Sequence, residues 1–234
     1  MHKFIAQFHE IYGTATLVDA AFRAGVDFRV PSASLNPVNP QHKLAGQVLT
    51  VKANNDLIAV LEAVHTADEG HVIVINNAET EVGILGDIIA TEARRKKLGG
   101  FVVDGFVRDV PTLLNPGVPV ISRGSTPLGP LKLDASQKGI GEIQVAIDIG
   151  GVTVTTDDWV FGDADGAIFL RHDDLDAVFE QARMSKARED DLFELLASGQ
   201  SLGDLLQLEA FLERRRQDPD ANFNEHLKQI GRAI

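Results

Sequence analysis

The 234-residue chain contains no cysteine, which removes thiol nucleophiles, disulfides and thiolate metal sites from consideration. No apolar run approaches the ~18 residues of a membrane span. The opening stretch from Met1 to Glu10 has neither a long apolar core nor a small-residue cleavage pattern. Cationic charge is scarce as well: 22 Lys and Arg stand against 34 Asp and Glu, a formal net charge of -12. The clustered cations that a phosphate backbone attracts are therefore missing. These absences point to a cytoplasmic protein that binds neither nucleic acid nor membrane, although an acidic surface suits a basic protein partner. The basic runs Arg94 to Lys97 and Arg214 to Arg216 are short and read as solvated helix faces. No two of the seven histidines form a His-x-x-x-His pair, so a zinc site on one helix has no support. No glycine-rich loop of the P-loop or dinucleotide type occurs, so nucleotide cofactors are not implied.

What is present is ordinary globular material, 44% hydrophobic and 24% charged. Patterning in the first half alternates helix and strand. Thr14 to Ala24 reads as a helix, Ala45 to Lys52 alternates as a strand, and Asn55 caps a helix from Asp56 to about Ala67. His71 to Ile75 is a β-branched block that reads as a buried strand; a helix starting near Asp87 and the strand Phe101 to Val103 come next. Such alternation argues for an α/β core. After Pro116 strands dominate, at Val118 to Ile121, Ile143 to Ile147, Val152 to Thr155 and Ala167 to Leu170. Asp157-Asp158-Trp159 reads as a turn, and Asp163 to Gly166 as a strand-joining turn that lacks the later ligands of a calcium loop. Helix returns from Asp173, with stripes such as Leu175, Val178, Phe179 and Ala182. The organisation expected is an α/β catalytic core over 1–172 and a helical C-terminal extension over 173–234, packed on that core or on a neighbouring subunit.

Two segments carry chemistry. Gly99 to Asp109 is an apolar strand that runs into a turn ending in Arg108 beside Asp109. A guanidinium offers a planar two-pronged donor to a carboxylate, and an adjacent aspartate offers oxygen to a hard cation. Upstream, Gly83-Ile84-Leu85-Gly86-Asp87 leads into a helical stretch, which places Asp87 at a helix start. The amides of Ile88 and Ile89 there are donors for a carboxylate or enolate oxygen, and Gly83 and Gly86 permit close approach. Taken singly, each feature has a plain explanation: adjacent Arg and Asp form surface ion pairs, and Asp is a common N-cap. Asp104 reads as a turn acid or as a group that orients the arginine. Arg123, with Ser125 and Thr126 after it, reads as a loop salt bridge or as a group that binds the far end of a substrate.

With these segments in view, the chain resembles the group that holds the regulator of ribonuclease activity A and the class II 4-hydroxy-4-methyl-2-oxoglutarate / 4-carboxy-4-hydroxy-2-oxoadipate aldolases. The likeness rests on GILGDIIATEARRKKLGGFVVDGFVRD from Gly83 to Asp109, GVPVISRGSTP from Gly117 to Pro127, GGVTVTTDDWVFGDADGAIFL from Gly150 to Leu170, and the weaker TATLVDAAFRAG from Thr14 to Gly25. It covers most of residues 14 to 170. The resemblance implies a layered β/β/α sandwich of the swivelling-domain type, assembled as a homotrimer or homohexamer with active sites at subunit boundaries. For the aldolase branch it implies that Arg108 grips the pyruvate carboxylate, Asp109 binds a divalent metal, Asp87 organises metal-bound water, and the amides of Ile88 and Ile89 touch the ligand beside Gly86. A further acid, acting through water from a neighbouring subunit, falls nearest to Glu189.

The expected activity is divalent-metal-dependent carbon-carbon cleavage of a 4-hydroxy-2-oxo acid to pyruvate, with Mg²⁺ or Mn²⁺ on Asp109. Oxaloacetate decarboxylation should accompany it, since both leave a pyruvate enolate. No lysine occupies the motif positions for an imine route. The alternative is a non-enzymatic protein-binding regulator resembling the ribonuclease E inhibitor. Acidic charge and a ring assembly fit that reading too, but a pure binding protein would not need Arg108, Asp109 and Asp87 together.

Overall fold

The computed structural model describes residues 3–78, 80–114, 117–130 and 139–231. It opens with α1 (Lys3–Glu10) and α2 (Thr14–Ala24), then β1 (Phe28–Arg29), β2 (Asn36–Pro37), β3 (Leu44–Lys52), α3 (Leu57–Thr66), β4 (Val72–Asn76) and β5 (Gly83–Leu85). Next come α4 (Asp87–Arg95), β6 (Gly100–Val107), α5 (Val110–Leu114), β7 (Val120–Ser125), β8 (Glu142–Ile143), β9 (Ile147–Ile149), β10 (Val152–Val154), β11 (Asp158–Asp163) and β12 (Gly166–Arg171). A 3₁₀ turn then leads to α6 (Leu175–Ala197), α7 (Leu202–Leu205), α8 (Leu208–Gln217) and α9 (Phe223–Gln229). The chain divides into two units, residues 1–178 and 179–234. The division falls inside α6, slightly beyond the 172/173 boundary expected from the sequence.

In the first unit one curled sheet runs β1-β12-β11-β3-β4-β6-β7-β2, with β5 paired to β6 and β8 to β3. Its centre is parallel, β3 with β4, β4 with β6, and β6 with β7, while β11 and β12 return antiparallel. Side chains alternate across the central strands, and the two faces meet different layers. Ile73, Ile75, Phe101 and Val103 pack on Val60, Ala63 and Val64 of α3 and on Ile89 and Ala93 of α4. Val72, Val74 and Val102 pack on Ile147, Ile149 and Val154 of the β9–β10 hairpin. Hairpin, sheet and helices are the three layers of the expected β/β/α sandwich.

Three local expectations are corrected. The α3 cap is Asp56, whose side chain accepts from the Ile58 amide at 2.9 Å; Asn55 is buried instead, bonded through Oδ1 to Asn77 and Thr80. Strand β6 does not stop at Val103 but runs through Asp104 and Gly105 to Val107, so Asp104 is no turn acid. Asp158 opens β11 rather than a turn, and its carboxylate is fully buried. It is held there by both terminal nitrogens of Arg29 at 2.9 and 2.7 Å, by Arg171 at 3.4 Å and by the Thr155 amide at 2.8 Å. The Asp158 hydrogen bonds and charge hold the Arg29 guanidinium above its ordinary pKa. The Asp163–Gly166 turn does join β11 to β12, and Asp163 also ties down the start of α2 through Thr14.

The second unit is helical. Ser201 caps α7 and Asn222 caps α9. Phe211 of α8 lies on Phe223 and His226 of α9 with ring centroids 4.8 and 5.2 Å apart. The buried His226 imidazole bonds to the Leu206 carbonyl at 2.8 Å.

Candidate active site

The site forms where the parallel strands end. Strand β6 finishes at Val107, and the Arg108 amide donates to the Leu85 carbonyl at 2.9 Å, so the last residues of β5 and β6 lie side by side. Gly86 caps α4 in extended conformation and Asp87 is the first helical residue, one position later than an N-cap aspartate would stand. Two chain segments far apart in sequence thus deliver Asp87, Arg108 and Asp109 to one place. The carboxyl end of a parallel sheet is the usual position for a ligand in such folds.

The contacts among these groups are direct. Arg108 Nε lies 3.3 Å from Asp109 Oδ2, and the Asp87 amide donates to the same oxygen at 3.4 Å. Asp87 Oδ1 accepts from the Ile88 amide at 2.7 Å. The first intrahelical bond of α4 is made by Ala90, to the Gly86 carbonyl at 3.1 Å, so the Ile89 amide lies ahead of the ladder. Of the two helix-start donors expected to face a ligand, Ile88 is therefore engaged by Asp87. Asp109 takes a left-handed backbone at φ 58°, unusual for a residue other than glycine, and its carbonyl receives the Thr112 and Leu113 amides that open α5. This kink turns the chain immediately after the arginine.

Three glycines make room for the Arg108 side chain. A Cβ on Gly83 would lie 3.0 Å from Arg108 Cβ, and one on Gly86 would lie 3.1 Å from both Cγ and Nε. A Cβ on Gly129 would collide with the guanidinium Nη1. Gly83 and Gly86 were legible as close-approach positions; Gly129 was not, since a Gly-Pro pair reads as a loop. Leu57, Leu61, Ile84, Ile88, Ile89 and Pro130 complete a hollow of about 210 Å³ in which Asp87 and Arg108 are the charged lining groups among the described residues. The contribution of α3 had no signal beyond helical amphipathicity.

Arg123 sits elsewhere. Its Nε bonds Asp104, which is buried and also accepts from the Gly150 amide at 2.7 Å. Asp104 therefore orients an arginine, but Arg123 rather than Arg108, and it pins β6 and β7 to the turn before β10. Glu189 lies on α6 in the second unit. A hollow of about 610 Å³ opens at the other end of the strands, beside Ala45, His71 and Gly99. Among the described residues no three His, Asp or Glu side chains converge as a metal cage, and no helix is long and apolar enough to cross a membrane. Asp109 and Asp87 do bring two carboxylates to the same strand end, the donor type that a hard divalent cation takes. Hard cations of this kind are held by one or two carboxylates with the remaining positions left to water and substrate.

Residues 14–169 match the RraA-like family described as Aldolase/RraA. This chain belongs to that family. A Halalkalibacterium halodurans protein named "Putative 4-hydroxy-4-methyl-2-oxoglutarate aldolase" is 32% identical over 187 residues, 78% of this chain and 83% of its own length. A similarly named Arabidopsis thaliana protein is 29% identical over 150 residues, 61% of this chain and 87% of its own. Among solved structures, an uncharacterized protein from Pseudomonas syringae pv. tomato superposes with TM-score 0.71 at 24% identity, covering 86% of this chain and 95% of that one. Streptomyces coelicolor RraAS2, described as an unusual member of the RNase ES inhibitor RraA family, superposes with TM-score 0.68 at 21% identity over 86% and 98%. The two structures share the fold with this member of the Aldolase/RraA family. The Halalkalibacterium and Arabidopsis relatives carry the aldolase name.

Proposed function

We propose that this chain is a divalent-metal-dependent pyruvate aldolase that cleaves a 4-hydroxy-2-oxo acid and also decarboxylates oxaloacetate. The observation that carries the reading is the meeting of Arg108, Asp109 and Asp87 at one strand end, with 3.3 Å between guanidinium and carboxylate. Arg108 binds the substrate carboxylate through its planar donors and fixes the direction in which the scissile bond points. Asp109 would hold Mg²⁺ or Mn²⁺, with Asp87 and Glu189 of the neighbouring subunit acting on it through water, and the ion would supply Lewis acidity at the 2-oxo group. Asp87, through a water, accepts the proton of the 4-hydroxyl as the C3–C4 bond breaks. The electron pair of that bond passes to the pyruvyl fragment as an enolate, whose oxygen faces the Ile89 amide and the positive end of α4. Protonation at C3 gives pyruvate. Oxaloacetate reaches the same enolate by losing CO₂ and needs no hydroxyl base.

The test is pyruvate release. Purified protein with Mg²⁺ should liberate pyruvate from oxaloacetate and from a 4-hydroxy-2-oxo acid, EDTA should stop it, and Asp109→Ala should lose it by at least ~10²-fold. Full activity in EDTA or in Asp109→Ala would overturn the reading. A pull-down with an endoribonuclease alongside the assay separates the enzyme from a protein-binding regulator. That second reading draws on the net charge of -12 and the fold shared with RraAS2.

A further inference from the structure

We infer that the hollow at the opposite end of the strands binds a zwitterionic α-amino acid with a large apolar side chain, its carboxylate on Lys97 and its ammonium on Glu69. The proposed cleavage chemistry makes no use of this place. Glu69 precedes β4 and Lys97 precedes β6, whereas Arg108 follows the last residue of β6. At about 610 Å³ the hollow has the size of an ordinary small-molecule site. Glycines let its floor close up: a Cβ on Gly46 would collide with the Gly70 carbonyl oxygen, and one on Gly99 would lie 2.7 Å from the Ala45 carbonyl oxygen.

Two backbone bonds clamp the loops that carry the charges. The Gly70 amide donates to the Lys97 carbonyl at 3.0 Å, and the Gly99 amide to the His71 carbonyl at 2.7 Å. Lys97 Nζ and Glu69 Oε2 stand 3.3 Å apart, with side chains 72% and 68% exposed. An exposed pair of this kind adds little to stability, so a ligand parts it at small cost. Lys97 also holds a left-handed backbone at φ 56°, which glycine takes freely and other residues take under strain. A lysine at such a position points to a use for its ammonium.

The rest of the lining sets the class of ligand. Burial and the nearby Lys43 ammonium hold the His9 imidazole below its ordinary pKa, so it brings no charge at neutral pH. His71 accepts the Asp68 amide on Nδ1 at 2.9 Å, which leaves its Nε2–H as a neutral donor. Glu69 and Lys97 are then the full charges among the described lining residues, one of each sign. A simple anion or cation placed there meets one attraction and one repulsion. The two charges of an α-amino acid sit on a single carbon, and they can lie antiparallel to the protein pair with each beside its opposite. Ile5 of α1 and the indole of Trp159 on β11 offer apolar surface for the side chain of such a ligand.

The full chain is titrated calorimetrically with L-phenylalanine, with 3-phenylpropanoate, which lacks the ammonium, and with 2-phenylethylamine, which lacks the carboxylate. Fluorescence locates the site, because Trp159 is the single tryptophan. L-Phenylalanine should bind and shift the Trp159 emission, and each truncated compound should bind about fivefold more weakly or worse. Absence of L-phenylalanine binding at ~10 mM overturns the inference, as does binding with no shift in emission. Equal or tighter binding of either truncated compound overturns the zwitterion assignment. Lys97→Gly should keep the fold, since glycine suits the left-handed backbone there. It should weaken L-phenylalanine about fivefold or more while leaving 2-phenylethylamine within about twofold. An unchanged affinity for L-phenylalanine in this variant would overturn the inference too.

Discussion

Arg108 is the residue on which recognition turns, and its chemistry is not that of a generic cation. Its side chain is 41% exposed and its contact with Asp109 is a single 3.3 Å approach, so the pair adds on the order of 0–1 kcal/mol to stability. Arg108→Lys should therefore leave the melting temperature within a degree or two. The same change removes the two-pronged fit to a carboxylate, and pyruvate affinity should fall about 10- to 100-fold, as a calorimetric titration with Mg²⁺ would show. Undiminished affinity would mean that Arg108 does not hold the head group. Asp158 presents the converse case, an ion pair that serves the fold. Its carboxylate is 0% exposed and neutralises Arg29, whose side chain is 16% exposed, across the β1–β12–β11 edge. Asp158→Asn leaves a largely buried guanidinium without its counter-charge and should cost about 3–5 kcal/mol in urea unfolding. A loss under 1 kcal/mol would show that water replaces the carboxylate there.

At the scale of elements, the site depends on how closely α4 approaches the end of β6, and Gly86 sets that distance. A methyl group at this position would press on Asp109 Oδ2 at 2.5 Å and on Arg108 Cγ and Nε at 3.1 Å. These are atoms of side chains that can move, not backbone. Gly86→Ala should thus keep stability within about 1 kcal/mol and displace the two functional groups, lowering pyruvate release at least tenfold. Equal losses of stability and activity would instead mark Gly86 as purely structural. The same region shows what a sequence reveals and what it hides. The GILGD and VRD segments were legible as a pair because each joins an apolar strand to a polar end, and a rigid strand fixes the position of the residues just beyond it. The turn reading of Asp104 failed because an acid before glycine resembles a turn; the Arg123 guanidinium from the next strand and the Gly150 amide make it tolerable inside β6. Asp158 was misplaced for the same reason, since its partners Arg29 and Arg171 are distant in sequence. Buried charges paired over long range are invisible to local pattern. So is the contribution of α3, whose Leu57 and Leu61 look like any apolar helix face until the fold puts them beside Asp87.

At the scale of the whole molecule, the site calls for a cover. Arg108 and Asp109 are 41% and 37% exposed, yet stabilising an enolate benefits from exclusion of water. Beside Arg108 the chain leaves Ile88 of α4 77% exposed, and near the start of α3 it leaves Ile58 67% exposed and Ile140, bonded to Asn54, 85% exposed. Exposed aliphatic groups gathered at one end of a sheet mark a surface meant for contact, and closed cyclic symmetry is the common way for identical chains to bury such a surface. Assembly as a trimer or hexamer would cover it and let a neighbour's Glu189 approach the metal. Sedimentation at micromolar concentration should then give three or six times the mass of one chain. Ile58→Glu, which places a charge on the exposed side of α3 without touching buried packing, should shift the mass toward the monomer. Specific activity should fall in step, because each site would lose its cover and the neighbour's acid, while circular dichroism stays unchanged. A monomeric wild-type protein with full pyruvate-releasing activity would show that one chain completes its own site, and Glu189 would then have no part in the chemistry of a neighbour.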